Sequence, residues 1–116
     1  MAEQESVSAL LSNAYESLRS VDLPGATTFL DRALDLDFED SEVLWSLKCR
    51  NFWAERAERI EGTNNLFERG EYIVAQWKRF VAFASKLEGD FERGFYAYKR
   101  FAFSLARAVP GAFLGG

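Results

Sequence analysis

The sequence predicts an all-α fold of about five helices, arranged as antiparallel pairs in a single domain that spans residues 1–116. Apolar residues recur at three- and four-residue steps along nearly the whole chain, and no segment shows the period-two alternation of a half-buried strand. Capping residues, glycines and prolines divide this pattern at four places. Because the resulting connections are short, successive helices are expected to be antiparallel neighbours.

The first predicted helix runs from about Glu3 to Ser20. Its apolar residues form one stripe, which consists of Val7, Leu10, Leu11, Ala14, Tyr15 and Leu18. Asp22 is a suitable N-cap, and Pro24 occupies the first turn, where a proline is tolerated. A second helix should therefore begin at once and continue to about Leu36.

Three further helices follow. An acidic turn that can cap a helix precedes the third, which is predicted from Ser41 to Ile60. The loop-forming cluster at residues 62–65 separates it from a fourth helix, from about Leu66 to Leu87. A fifth helix should run from about Asp90 to Ala108, because Pro110 cannot continue it.

The residue inventory excludes several classes of enzyme. The chain has no histidine, so Ser-His-Asp and Cys-His nucleophiles, imidazole acid–base catalysis and His-containing zinc sites are all ruled out. The lone Cys49 closes no intramolecular disulfide and builds no thiolate metal site. The remaining carboxylates, lysines and tyrosines form no catalytic constellation. We therefore expect no enzymatic activity, no cofactor and no metal.

Charge is distributed unevenly around a net value of −4. Residues 1–44 carry ten acids and two bases, a net charge of −8, whereas residues 45–116 carry twelve bases and eight acids, a net charge of +4. The two halves should attract each other or offer two different surfaces to partners. The acidic total argues against nucleic-acid binding.

The N-terminal segment lacks the basic and apolar regions of a secretory signal. No run approaches the roughly 18 consecutive apolar residues that span a bilayer. These features, together with a cysteine content that needs no oxidising compartment, predict a soluble protein with no membrane span and a cytoplasmic location.

Residues 8–41 hold small, aromatic and leucine residues at spacings that match a known helical repeat. The residues that carry the pattern are Leu11, Ser12, Ala14 and Tyr15 in the first helix, and Ala26, Phe29, Leu30, Ala33, Leu34 and Leu36 in the second. This stretch resembles a tetratricopeptide repeat (TPR). Residues 42–87 resemble a divergent second repeat, and residues 90–108 form a terminal helix.

The resemblance implies a right-handed superhelix of stacked helix pairs. In this family the first helix of each pair lines a concave groove that holds a peptide or a partner helix. Carried over by position, the groove would present Asn13 and Glu16 from the first helix, and Trp45, Cys49 and Phe52 from the third. Only Asn13 matches the residues with which some members clamp a C-terminal carboxylate, so that mode of binding is not expected.

The terminal helix is apolar around most of its circumference, which indicates burial on more than one side. Part of this surface is expected to pack on the fourth helix and to cover the end of the domain. The rest offers a candidate interface at Phe95, Tyr98 and Phe103.

These observations support two functional hypotheses. The first is a non-enzymatic protein–protein interaction module, a TPR-like scaffold or adaptor that binds a partner peptide or helix. The alternative is a self-associating structural subunit, or the N-terminal part of a larger helical-repeat assembly, which makes contact through its aromatic C-terminal helix. The partner is thus another protein or a further copy in a homo-oligomer.

Overall fold

The computed structural model describes residues 5–107, and within that range the chain forms five α-helices and no strand. The helices are α1 (Val7–Arg19), α2 (Leu23–Leu36), α3 (Ser41–Gly62), α4 (Leu66–Ser85) and α5 (Glu92–Arg107). The all-α prediction is confirmed. None of the five described helices is long and apolar enough to cross a membrane.

Side-chain caps fix where four of the helices begin. Ser6, Asp22, Asp40 and Asn65 each accept a hydrogen bond from the backbone amide three residues on, at 2.9 to 3.0 Å. Such a cap satisfies one of the amides that the first turn of a helix leaves without an internal partner.

Helix ends differ slightly from the sequence prediction. The prediction placed the end of α4 at Leu87 and the start of α5 at Asp90, but α4 ends at Ser85 and α5 begins at Glu92. The connection between these helices is therefore longer than predicted. The predicted first residue of α1, Glu3, and last residue of α5, Ala108, lie outside the described residues.

The helices α1 and α2 form a tightly packed pair. A connection of three residues joins them, and Ala14, Ala26 and Ala33 are fully buried where the helices pack. Small side chains allow two helix backbones to approach closely.

Helices α4 and α5 close over α3. This helix packs against α2, α4 and α5, while α5 packs against α1, α3 and α4. The core between them is largely aromatic, and its largest fully buried rings belong to Trp53, Phe80 and Tyr98.

The position of α5 corrects the prediction of an open groove lined by the first and third helices. In this fold α5 lies on the face of α3 that carries Trp45 and Ser46. The face that the resemblance assigned to a bound peptide is thus covered by the chain itself.

Candidate interaction surface

Three of the five predicted groove residues belong to the core. The exposed fractions of Trp45, Cys49 and Phe52 are 4%, 0% and 8%. The Trp45 ring packs edge-on against the rings of Phe91 and Tyr98, with centroids 5.6 and 6.2 Å apart. The prediction that these three residues line a binding groove is wrong for this arrangement, because α4 and α5 cover them.

The other two predicted groove residues, Asn13 and Glu16, are exposed on α1. Glu16 forms an ion pair with Arg19 one turn along the same helix, at 3.1 Å. The structure does not bring these two residues together with Trp45, Cys49 and Phe52 on one open surface.

A polar cluster holds the N-terminal half of α5 against α1 and α3. The Tyr15 hydroxyl donates a hydrogen bond to Glu42 Oε2 at 2.8 Å, and Arg93 Nε donates to the same oxygen at 3.2 Å. The Tyr98 hydroxyl donates to the carbonyl oxygen of Ser46 at 2.7 Å. Burial raises the pKa of both tyrosines, so both hydroxyls stay protonated and act as donors at neutral pH.

Gly94 allows α5 to approach this cluster closely. A Cβ atom at this position would lie 2.6 Å from Trp45 Cζ3 and 2.7 Å from the Tyr15 hydroxyl oxygen. Any side chain at position 94 would therefore push α5 away from α1 and α3.

Arg69 holds the C-terminal half of α5. Its side chain is 1% exposed, and its guanidinium donates to the carbonyl oxygens of Thr63, Glu61 and Leu105 at 3.0 to 3.3 Å. It thereby joins the end of α3 to the last turns of α5. This role is not predictable from the sequence, because an arginine between Glu68 and Gly70 gives no local sign of burial.

Cys49 is not a reactive thiol in this fold. It is fully buried, and burial raises the pKa of its thiol. Because the thiolate is the nucleophilic form, a buried neutral thiol supplies no nucleophile and no metal ligand.

The predicted C-terminal interface is only partly accessible. Tyr98 is fully buried, so its assignment to an interface is wrong. Phe95 is half-buried and stacks on Phe80, with centroids 6.0 Å apart. Phe103 is half-buried too: it packs edge-on against Trp77, with centroids 5.6 Å apart, and it also borders an open groove.

This groove lies between α4 and α5 and has a volume of about 850 Å³. Its apolar lining includes Leu66, Phe67, Val74, Phe103 and Ala106. The α4 residues of that set are unusually exposed for their type, with exposed fractions of 48% for Leu66, 72% for Phe67 and 46% for Val74.

Basic side chains border the groove. Lys78 and Arg79 line it, and Phe103 links it to a neighbouring recess lined by Lys99, Arg100 and Arg107. Among the residues that line the groove and this recess, these five bases oppose one acid, Glu71. We call this continuous surface the α4–α5 surface.

The α4 part of this surface is not among the binding residues predicted from the sequence. A detectable signal was present, since Phe67, Gly70 and Val74 follow one another at three- and four-residue steps and so lie on one face of α4. The other face already supplies the buried Ile73, Phe80 and Ala84. A helix that carries a second row of apolar side chains, outside the row that packs in the core, has an apolar surface available for a further contact.

Among residues 5–107 there is no group of three acidic or cysteine side chains that could hold a metal ion. No protein-family model matches the sequence, and comparisons with curated proteins and with solved structures give no significant match.

Proposed function

We propose that this protein is a TPR-like, non-enzymatic interaction module, a scaffold or adaptor that binds an amphipathic segment of another protein molecule on the α4–α5 surface. The exposed apolar groove between α4 and α5 is the observation that carries the proposal. A contiguous exposed apolar surface is uncommon on a monomeric soluble protein, and such a surface marks sites of contact with other molecules.

The shape of the surface favours a helical or extended segment over a small molecule. The groove is shallow enough that Phe67 keeps 72% of its surface exposed, whereas a small-molecule site buries most of its ligand. An amphipathic helix fits such a groove by placing side chains three, four and seven residues apart against it.

The charge of the surface sets the chemistry of the bound segment. Lys78 and Arg79 stand on the groove, so an apolar segment flanked by Asp or Glu would be attracted and oriented. A segment rich in Lys or Arg would instead be repelled by Lys78 and Arg79.

The TPR-like assignment is supported by the α1–α2 pair, in which Ala26 and Ala33 are fully buried. A cytoplasmic location is supported by the chain's independence of disulfides, since its one cysteine is a buried free thiol.

Two matched valines on α4 test the proposal. Val74 lines the groove and Val81 does not, yet their exposed fractions are similar, at 46% and 40%. In affinity capture from extracts of the source cell with quantitative mass spectrometry, Val74→Asp should lower recovery of the bound protein by about tenfold or more, because an aspartate would be buried against apolar atoms. Val81→Asp should leave recovery unchanged.

Thermal melts of both variants verify that they stay folded, as expected for substitutions at exposed positions. Equal recovery with wild type, Val74→Asp and Val81→Asp would show that the groove between α4 and α5 is not the contact site.

A further inference from the structure

We propose that the segment bound on the α4–α5 surface is the acidic edge of a second copy of this chain, so that copies associate head to tail. The acidic edge is the end of α2 and the turn that follows it, residues 31–39. This proposal rests on the proposed function, since it names the occupant of the same surface.

The acidic edge carries two large apolar side chains that stay exposed in the described part of the chain. Leu36 is 52% exposed and Phe38 is 72% exposed, equal to Phe67 and as high as any large apolar residue in the described chain. Leu36 is the last residue of α2, and Phe38 lies in the turn between α2 and α3.

Exposed carboxylates surround this apolar pair. Asp31, Asp35, Asp37 and Glu39 are all exposed, and the one base in residues 31–39, Arg32, forms an ion pair with Glu5. The acidic edge is therefore an apolar centre with an acidic border, and the α4–α5 surface is an apolar groove with a basic border.

One copy cannot join its own two surfaces. The acidic edge belongs to α2, which packs against α1 and α3, whereas the groove lies between α4 and α5. Both surfaces sit on helices that are fixed in one core, so the complementary contact has to form between two copies.

The net charge of −4 does not prevent this contact. Screening at physiological salt limits charge interactions to about 8 Å, so the charges at the contact decide the sign of the interaction. At the contact, carboxylates meet the bases Lys78, Arg79, Lys99, Arg100 and Arg107. Because the two surfaces differ, an oligomer of any length still has one free acidic edge and one free α4–α5 surface at its ends. It can therefore add further copies or close into a ring.

Charge reversal on each surface tests the proposal by sedimentation velocity over a range of protein concentrations. Wild type should form dimers and larger species as concentration rises. Asp35→Lys with Glu39→Lys disables the acidic edge, and Lys78→Glu with Arg79→Glu disables the α4–α5 surface. Each double variant alone should weaken association by about tenfold or more, since like charges then face each other.

Mixing the two variants isolates the head-to-tail geometry. The first variant keeps an intact groove and the second keeps an intact acidic edge, and their two reversed surfaces are also opposite in charge, so an equimolar mixture should recover the association that each variant alone has lost. Glu55→Lys with Glu58→Lys is the matched control: it changes the net charge as the first variant does, at exposed positions on α3, and should associate like wild type.

A wild type that stays monomeric at all concentrations overturns the proposal, and so does a mixture of the two variants that stays monomeric. A monomeric wild type whose capture of a different protein is abolished by Val74→Asp leaves the proposed function standing and removes only the second copy. If wild type is monomeric and Val74→Asp leaves the recovery in affinity capture unchanged, both the proposed function and the proposed self-association are contradicted.

Discussion

At the residue scale, two glycines report on different features of the fold. Gly94 shows how closely α5 packs against α1 and α3, and Gly70 shows how open the groove between α4 and α5 is. A Cβ atom at Gly94 would overlap Trp45 and Tyr15, whereas a Cβ atom at Gly70 meets nothing within 4 Å. Gly94→Ala should therefore lower the free energy of unfolding by about 1–3 kcal/mol, the usual cost of overpacking.

Gly70→Ala is the matched control. It should raise the free energy of unfolding by up to about 1 kcal/mol, because alanine favours a helix over glycine and the site is open. Urea denaturation measures both values. A Gly94→Ala variant as stable as Gly70→Ala would contradict the close packing of α5 on α1 and α3.

Cys49 makes stability depend on pH in the alkaline range. Burial raises the pKa of its thiol in the folded chain, whereas an unfolded chain ionises this group near about pH 8.5. The stability from the protonated thiol is thus fully present below that pH and is lost as pH rises, because only the unfolded chain releases the proton.

Each pH unit well above the unfolded value should cost about 1.4 kcal/mol from this group. In Cys49→Ala the fall in unfolding free energy between about pH 9 and pH 10 should be correspondingly shallower. Urea denaturation across this range gives the two slopes, and equal slopes would mean that the thiol ionises in the folded protein as it does in the unfolded chain.

At the element scale, the two ends of α5 are held by arginines of very different burial. Arg69 is 1% exposed and donates hydrogen bonds to the backbone carbonyl oxygens of Thr63, Glu61 and Leu105, whereas the side chain of Arg93 is 44% exposed and pairs with Glu42. Arg69→Met should lower the free energy of unfolding by about 3 kcal/mol or more, because buried acceptors lose their donor. Arg93→Met should cost about 1 kcal/mol or less, since water screens an exposed pair.

Urea denaturation of both variants gives these two costs. Hydrogen exchange adds a local measurement, in which the amides of the last turns of α5 should exchange faster in Arg69→Met than in Arg93→Met. A larger loss of stability in Arg93→Met would contradict the assignment of Arg69 as the main support of α5.

Helix positions were predictable from the sequence because their causes are local. Asp22 caps the turn into α2, and the loop at residues 62–65 separates α3 from α4, as predicted. The roles of Trp45 and Tyr98 were not predictable in the same way. Both are aromatic residues on amphipathic helices. Whether the helix face that carries them is exposed or buried depends on contacts between residues about fifty positions apart in the sequence, such as the contact between Trp45 and Tyr98.

At the scale of the whole molecule, the main difference from the expected arrangement is that α5 closes the face of α3. The charge division read from the sequence persists in the fold: Arg93 of the basic half pairs with Glu42 of the acidic half, while the acidic edge and the basic border of the groove remain exposed. The part of the candidate site on α5 was anticipated through Phe103, and the part on α4 was not, because Phe67 and Val74 resemble core positions until the packing of α4 is known.

Site-specific photocrosslinking in the living source cell tests the central claim most directly, namely that the α4–α5 surface is the contact surface. A photoreactive phenylalanine analogue replaces Phe67 in one variant and, as a control, Val81, an exposed residue of α4 outside the groove, in another. Position 67 should give a discrete covalent adduct with a second protein molecule, and position 81 should give none. Absence of an adduct at position 67, or the same adducts at both positions, would contradict the account.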